Sequence, residues 1–164
     1  MPLLQKYNKL PKTIQYTILG GSAILLYLLY KKFFAIETDQ AETYEQMLKR
    51  LQEEKNKNTQ TLTYPVSNYL AFANTLHESM KYAVGDNYGA VTDIMMKMQN
   101  DRDVITLIEA YGLRQLYFFG IPTGEPLDLF TTIKKELGDE LGLLSIRVSN
   151  INDNWKSKGI KYVI

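Results

Sequence analysis

Residues 100–112 read Asn-Asp-Arg-Asp-Val-Ile-Thr-Leu-Ile-Glu-Ala-Tyr-Gly, and this stretch decides the fold class. Val104, Leu107, Ile108 and Tyr111 recur at intervals of three and four, so they share one face of a helix. Asn100 or Asp101 supplies a side-chain oxygen for the unpaired amides of the first turn, and Gly112 is the residue type that ends a helix.

The same pattern extends in both directions. Upstream, Tyr69, Ala73, Leu76, Met80 and Ala83 predict a helix from about Val66 to Val84, broken at Gly85-Asp86-Asn87. Val91, Ile94, Met95 and Met98 predict a shorter one after it. Downstream, a loop from Leu113 to Glu125 holds Gly120, Pro122 and Gly124, and Pro126 suits the first position of a helix carrying Leu129, Phe130, Ile133 and Leu137. The last helix is expected over Asp139 to Trp155, with Leu141, Leu144, Val148, Ile151 and Trp155 inward. The tail Ile160-Lys161-Tyr162-Val163-Ile164 alternates and predicts a short extended strand. Residues 66–164 are therefore expected to form a five-helix, all-α domain with no internal repeat.

At the other end of the chain lies a different kind of sequence. Ile14 to Tyr30, IQYTILGGSAILLYLLY, carries no charge. At a helical rise of roughly 1.5 Å per residue, 17 such residues cover about 25 Å, and continuing to Phe34 gives about 31 Å, close to the bilayer's apolar thickness of about 30 Å. Residues 14–34 are therefore expected to be a transmembrane helix, with Ile18, Leu19, Ile24, Leu25, Leu26, Leu28 and Leu29 in lipid. Lys31 and Lys32 would snorkel to the headgroups. A cleaved leader would place small residues after the apolar run, where this chain has Lys-Lys-Phe-Phe. Lys6, Lys9 and Lys12 in the basic segment 1–13, against only Lys31 and Lys32 after the span, favour an N-terminus on the inner side.

Between the two lies a charged segment, 35–58, with a narrow apolar stripe of Tyr44, Met47, Leu48 and Leu51. Acidic residues come first and basic ones later, as the helix dipole favours. The stripe is too short for a coiled coil, so a helical stalk is expected, resting on a partner or on its own domain. If it continued the membrane helix, the two would form one rod. Residues 59–65 are a polar linker closed by Tyr64-Pro65.

The 164 residues contain no cysteine and one histidine. Thiolate chemistry is excluded and a zinc site has too few ligands. Five lysines and no acid in residues 1–34 leave 14 basic against 18 acidic side chains in the remainder. An acidic body with scattered arginines and no glycine-rich phosphate loop argues against nucleic acid or nucleotide partners.

Residues 66–137 resemble a single annexin-type repeat, and the whole body is similar to small annexin-like domains of some bacteria and phages. The resemblance is carried by Asn74-Thr75-Leu76-His77-Glu78-Ser79-Met80, by Ala90-Val91-Thr92-Asp93-Ile94-Met95 and above all by Asp103 to Gly112. Asp128-Leu129-Phe130 through Leu137 and Lys158-Gly159-Ile160 add to it. It implies a five-helix annexin-like domain over the body, behind the anchor and stalk, which lie outside the resemblance. Annexins hold calcium in a Gly-x-Gly-Thr loop with a distant acid, because turn carbonyls and a carboxylate supply hard oxygen ligands. Here that loop reads Gly85-Asp86-Asn87-Tyr88, so Asp86 and Asp128 are expected to be surface or capping acids and no metal or cofactor is expected; the lesser alternative that the resemblance implies is calcium-dependent annexin-like membrane binding.

Glu78-Ser79, followed by Gly89-Ala90 and Met95-Met96, faintly resembles the acid region of lytic transglycosylases, which implies Glu78 as a general acid in a membrane-anchored peptidoglycan lytic enzyme. The simpler expectation for Glu78 is a solvent-facing residue, and for His77 a partly buried, hydrogen-bonded one. Leu116 to Pro122 is the most apolar loop of the body; it either packs inward or presents Tyr117, Phe118 and Phe119 to a protein partner. The expectation overall is a non-enzymatic, single-pass membrane protein that connects a bilayer to protein. The phage resemblance suggests a minor virion protein joining a protein shell to a membrane, or a bacterial envelope protein. Its oligomeric state is not legible.

Overall fold

A capping box opens the first described helix. The Thr43 side chain accepts from the Gln46 amide while the Gln46 side chain accepts from the Thr43 amide, and Thr43 itself is extended. The computed structural model describes residues 43–81, 87–118, 120–137 and 145–164. Residues 14–34, expected to span a membrane, lie outside the described residues. Among those described, no helix is long and apolar enough to cross one.

Six helices are described: α1 (Tyr44–Lys57), α2 (Val66–Met80), α3 (Tyr88–Lys97), α4 (Asp101–Tyr111), α5 (Leu129–Leu137) and α6 (Ser145–Ser157). Five of them lie in residues 66–164, and the described residues are mostly helical. Between α4 and α5 two short antiparallel strands, β1 (Tyr117–Phe118) and β2 (Ile121–Pro122), form a hairpin. All described residues belong to one compact unit.

The centre is α2 against α4, with α3 on α2 and α6 on α3. Tyr69, Ala73, Leu76 and Met80 of α2 are buried with Val104, Leu107 and Ile108 of α4, as their spacing predicts. Leu129, Ile133 and Leu137 close the core from α5, and Ile151 and Trp155 from α6. Trp155 spends its one polar atom on the carbonyl of Met95, 2.8 Å away, which lets the whole indole be buried.

Several boundaries differ from expectation. The described part of α2 ends at Met80 rather than at Val84. There, the Asn87 amide takes the Ser79 carbonyl and the Tyr117 amide takes the Lys81 carbonyl, so neighbouring segments satisfy the helix end. Pro126 does not start α5. Arg114 and Leu127 pair as an antiparallel bridge, which keeps residue 127 extended, and Asp128 caps the helix instead. The expected start of the last helix at Asp139 lies outside the described residues, and α6 is described from Ser145. The tail forms no strand, but its alternation is real: Ile160 and Ile164 are buried while Lys161 and Val163 face outward. Asn152 holds its end through hydrogen bonds to both the amide and the carbonyl of Ile164.

The helical stretch within 35–58 packs on its own domain. Leu51 is buried in the core, Met47 packs against it, and Lys55 pairs with Glu109 at 2.7 Å. Arg102 donates to the Lys55 carbonyl at 2.6 Å, and the Tyr162 hydroxyl donates to Glu54. α1 begins at Tyr44, with Thr43 before it extended and capping.

The directions of the helices set what lies at each end. Tyr69 meets Asp103 and His77 meets Tyr111, so α2 and α4 run parallel. At the far end of α1, Lys55 meets Arg102 and Glu109, while a Cβ on Gly112 would stand 3.6 Å from Tyr44 Oη, so α1 runs antiparallel to α4. The N-terminus of α1 and the C-terminus of α4 thus share one end of the body.

Candidate functional site

Asp103 is the most heavily engaged carboxylate among the described residues. The Asn100 side chain caps α4 by accepting from the Asp103 amide at 3.0 Å, which turns the Asp103 side chain back toward the preceding residues. Its Oδ1 accepts from the Thr63 amide at 2.9 Å and from the Tyr69 hydroxyl. Its Oδ2 accepts from the Thr63 hydroxyl at 2.6 Å and from the Gln99 amide at 2.9 Å. Burial alone raises its pKa, but the hydrogen bonds from Thr63, Tyr69 and Gln99 outweigh that and hold it below the ordinary value. Burial and the bond to Asp103 push the Tyr69 phenol far up. A carboxylate has about four acceptor positions, and four donors occupy these, so Asp103 has no lone pair left for a substrate.

The result is a clasp. Residues 59–65, expected to be a polar linker, are held at Thr63 by Asp103 and at Thr61 by the Asn100 side chain, 3.1 Å from its carbonyl. Nearby, Lys158 points its ammonium at the carbonyls of Met96 and Met98, 2.5 and 3.0 Å away, which satisfies the C-terminus of α3. Burial lowers its pKa, opposed by the Asp103 charge.

Glu78 is exposed on α2 and pairs with Lys81 at 2.5 Å. That hydrogen bond lowers its pKa, whereas a general acid for glycosidic cleavage needs a desolvated carboxyl with a raised one. His77 is half-buried, edge-on to Tyr111, and its Nδ1 has no hydrogen-bond partner among the described residues. The expectation of a hydrogen-bonded histidine is therefore not met at Nδ1. Burial, then the Arg114 charge, lowers its pKa. Arg114 stacks over Tyr111 and donates to the Tyr111 carbonyl and to Asn74. No nucleophile or second acid joins His77 and Glu78 in these contacts.

Asp128 Oδ1 accepts from the amides of Phe130 and Thr131, and its Oδ2 from the Thr131 hydroxyl at 2.5 Å. It is the N-cap of α5, as a capping acid should be. Asp86 lies outside the described residues. Among those described, no three acidic or histidine side chains gather as a cation would require.

The hairpin carries the remaining candidates. Leu116 and Thr123 at its base are buried, with the Thr123 amide on the Leu116 carbonyl at 2.9 Å. The Tyr117 amide reaches the Lys81 carbonyl at 2.8 Å, which fastens the hairpin to the end of α2. Tyr117 and Phe118 are half-buried, and Phe119 lies outside the described residues. Gly120 turns the chain at φ 81°, a conformation that favours glycine. Ile121 beyond it is 62% exposed, a residue that sequence reasoning passed over in favour of the aromatics.

No family model, no curated protein and no solved structure matches the chain. The cluster around Asp103 escaped sequence reasoning. Asp103 could have been suspected from Asn100-x-x-Asp103, an acid three residues after a capping residue; its partners Thr63 and Tyr69 left no local signal. The anchor residues Ile18, Leu19, Ile24, Leu25, Leu26, Leu28, Leu29, Lys31 and Lys32 lie outside the described residues.

Proposed function

We propose that the chain is a non-enzymatic, single-pass membrane protein whose helical body connects a bilayer to other proteins. One observation carries this reading: 17 consecutive uncharged residues from Ile14 to Tyr30, followed by the paired Lys31 and Lys32. Three carboxylates of the body serve the fold. Asp103 clasps the segment before α2, Asp128 caps α5 and Glu78 pairs with its helical neighbour. The likeness of residues 66–137 to one annexin-type repeat of bacterial and phage proteins makes a minor virion protein, between a protein shell and a membrane, the favoured setting. A bacterial envelope protein is the second. The N-terminus faces the inner side.

The test is flotation. Full-length chain mixed with phosphatidylethanolamine and phosphatidylglycerol vesicles rises with them on a density gradient at both low and high salt, and detergent returns it to the bottom. A chain that stays at the bottom with vesicles present contradicts the reading. The lytic alternative has its own readout: the full chain leaves peptidoglycan turbidity unchanged, whereas clearing that Glu78→Gln abolishes would replace the structural role with an enzymatic one.

A further inference from the structure

Turns that face water are normally built from polar residues, glycine and proline. The hairpin between α4 and α5 departs from this. Residues 116–122, Leu-Tyr-Phe-Phe-Gly-Ile-Pro, contain no charge and, apart from the tyrosine hydroxyl, no polar side chain. Its base is fixed by the Arg114 and Leu127 bridge and by the Tyr117 amide on Lys81. Exposure rises outward along it: Leu116 is buried, Tyr117 and Phe118 are half-buried, and Ile121 and Pro122 beyond the turn are exposed. The most apolar loop of the body thus presents an exposed isoleucine on the second strand of a braced hairpin.

Its location matters as much as its composition. The hairpin springs from Gly112 at the C-terminus of α4, where Tyr44 of α1 also stands. The chain coming from residues 1–42 therefore enters the body at the end that bears the hairpin. Residues 35–42 can extend over at most about 29 Å, so an anchor ending near Phe34 would be tethered to the N-terminus of α1 within that reach. Tethering at such range raises the local concentration of lipid around the hairpin and makes a weak second contact effective. Isoleucine, proline and tyrosine are residue types that enter or border the apolar boundary of a membrane.

We propose that the exposed second strand of the hairpin, Ile121 with Pro122, is a second membrane contact that inserts shallowly into the bilayer. This rests on the anchor reading above. The chain has no cysteine, so single labels are unique. Three full-length variants, Ile121→Cys, Gln60→Cys and Leu25→Cys, each carry an environment-sensitive nitrobenzoxadiazole label. They are reconstituted in phosphatidylethanolamine and phosphatidylglycerol vesicles with or without nitroxide-labelled lipid. Gln60 is exposed beyond the C-terminus of α1, at the opposite end of the body. The proposal expects blue-shifted emission, quenched by the nitroxide lipid, at Ile121 and neither effect at Gln60. Emission at Ile121 as red and as unquenched as at Gln60 overturns it and leaves the strand to a protein partner. Leu25 separates the two ideas: if it is quenched while Ile121 is not, only the hairpin contact fails. If Leu25 is unquenched the anchor fails, and the comparison of Ile121 with Gln60 still decides the hairpin.

Discussion

Thr63 and Asp103 meet across 40 residues through two hydrogen bonds, amide to Oδ1 at 2.9 Å and hydroxyl to Oδ2 at 2.6 Å. The pair fixes the segment between α1 and α2 against the first turn of α4.

Removing the carboxylate should cost more than removing any one donor. Asp103→Ala leaves the buried Tyr69 hydroxyl and the amides of Thr63 and Gln99 without their acceptor, a loss on the order of 3 kcal/mol or more. Tyr69→Phe removes one donor and should cost about 1 to 2 kcal/mol. Urea unfolding of the full chain in detergent micelles, followed by Trp155 emission, gives both values. Equal costs would mean that the carboxylate is not the centre of the cluster.

Acid should release the same clasp. The folded-state pKa of Asp103 is depressed, so its contribution is fully present above the unfolded value of about 3.9 and is lost as pH falls through the lower folded value. Between wild type and Asp103→Asn, the difference in unfolding midpoint should be constant near neutrality and shrink below about pH 4. A difference that stays constant down to pH 2 would contradict this assignment.

His77 should act in a higher window with the same sign. Its folded pKa lies below the ordinary value of about 6.5 because burial and Arg114 disfavour the cation. The unfolded chain therefore takes up the proton first, and stability falls as pH drops below about 6.5 toward the folded value. His77→Gln should flatten the thermal-melting profile between neutrality and pH 5. An unchanged slope would show that His77 is solvated like a free imidazole.

Gly112 ends α4 at φ 62° and ψ −144°, which side chains of L-residues rarely adopt. A Cβ there meets Tyr44 Oη at an ordinary contact distance of 3.6 Å, so the cost of Gly112→Ala is conformational. It should be about 1 to 3 kcal/mol in the same urea assay. A loss below 0.5 kcal/mol, about that of an ordinary surface substitution, would mean that the turn relaxes.

Sequence spacing identified much of this body. Asn100 and Gly112 bracket α4 as their residue types require, and the predicted faces of α2 and α4 are the buried ones. What it missed depended on partners far along the chain. The stripe on α1 named a face but not the surface that covers it, since Leu51 finds its core across residues distant in sequence. Asp103 gathers Thr63 and Tyr69 by tertiary folding alone. Two local signals were passed over. Thr43-x-x-Gln46 is a capping-box pattern that starts α1 at Tyr44, and Asp128 is a better helix start than Pro126 when its amide neighbours need an acceptor. The hairpin was obscured because Phe-Phe-Gly-Ile-Pro lacks alternation and its proline is tolerated only on a sheet edge, where it lies.

The most direct measurement is extraction of membranes carrying the full-length chain with alkaline carbonate, beside a variant with Leu25→Lys and Leu26→Lys. Each lysine at mid-span costs about 2.5 to 3.5 kcal/mol of insertion. The account predicts wild type in the pellet and the doubly charged variant in the supernatant, with the body of both still folded by Trp155 emission. Wild type released by carbonate, or a variant retained as firmly as wild type, would contradict it.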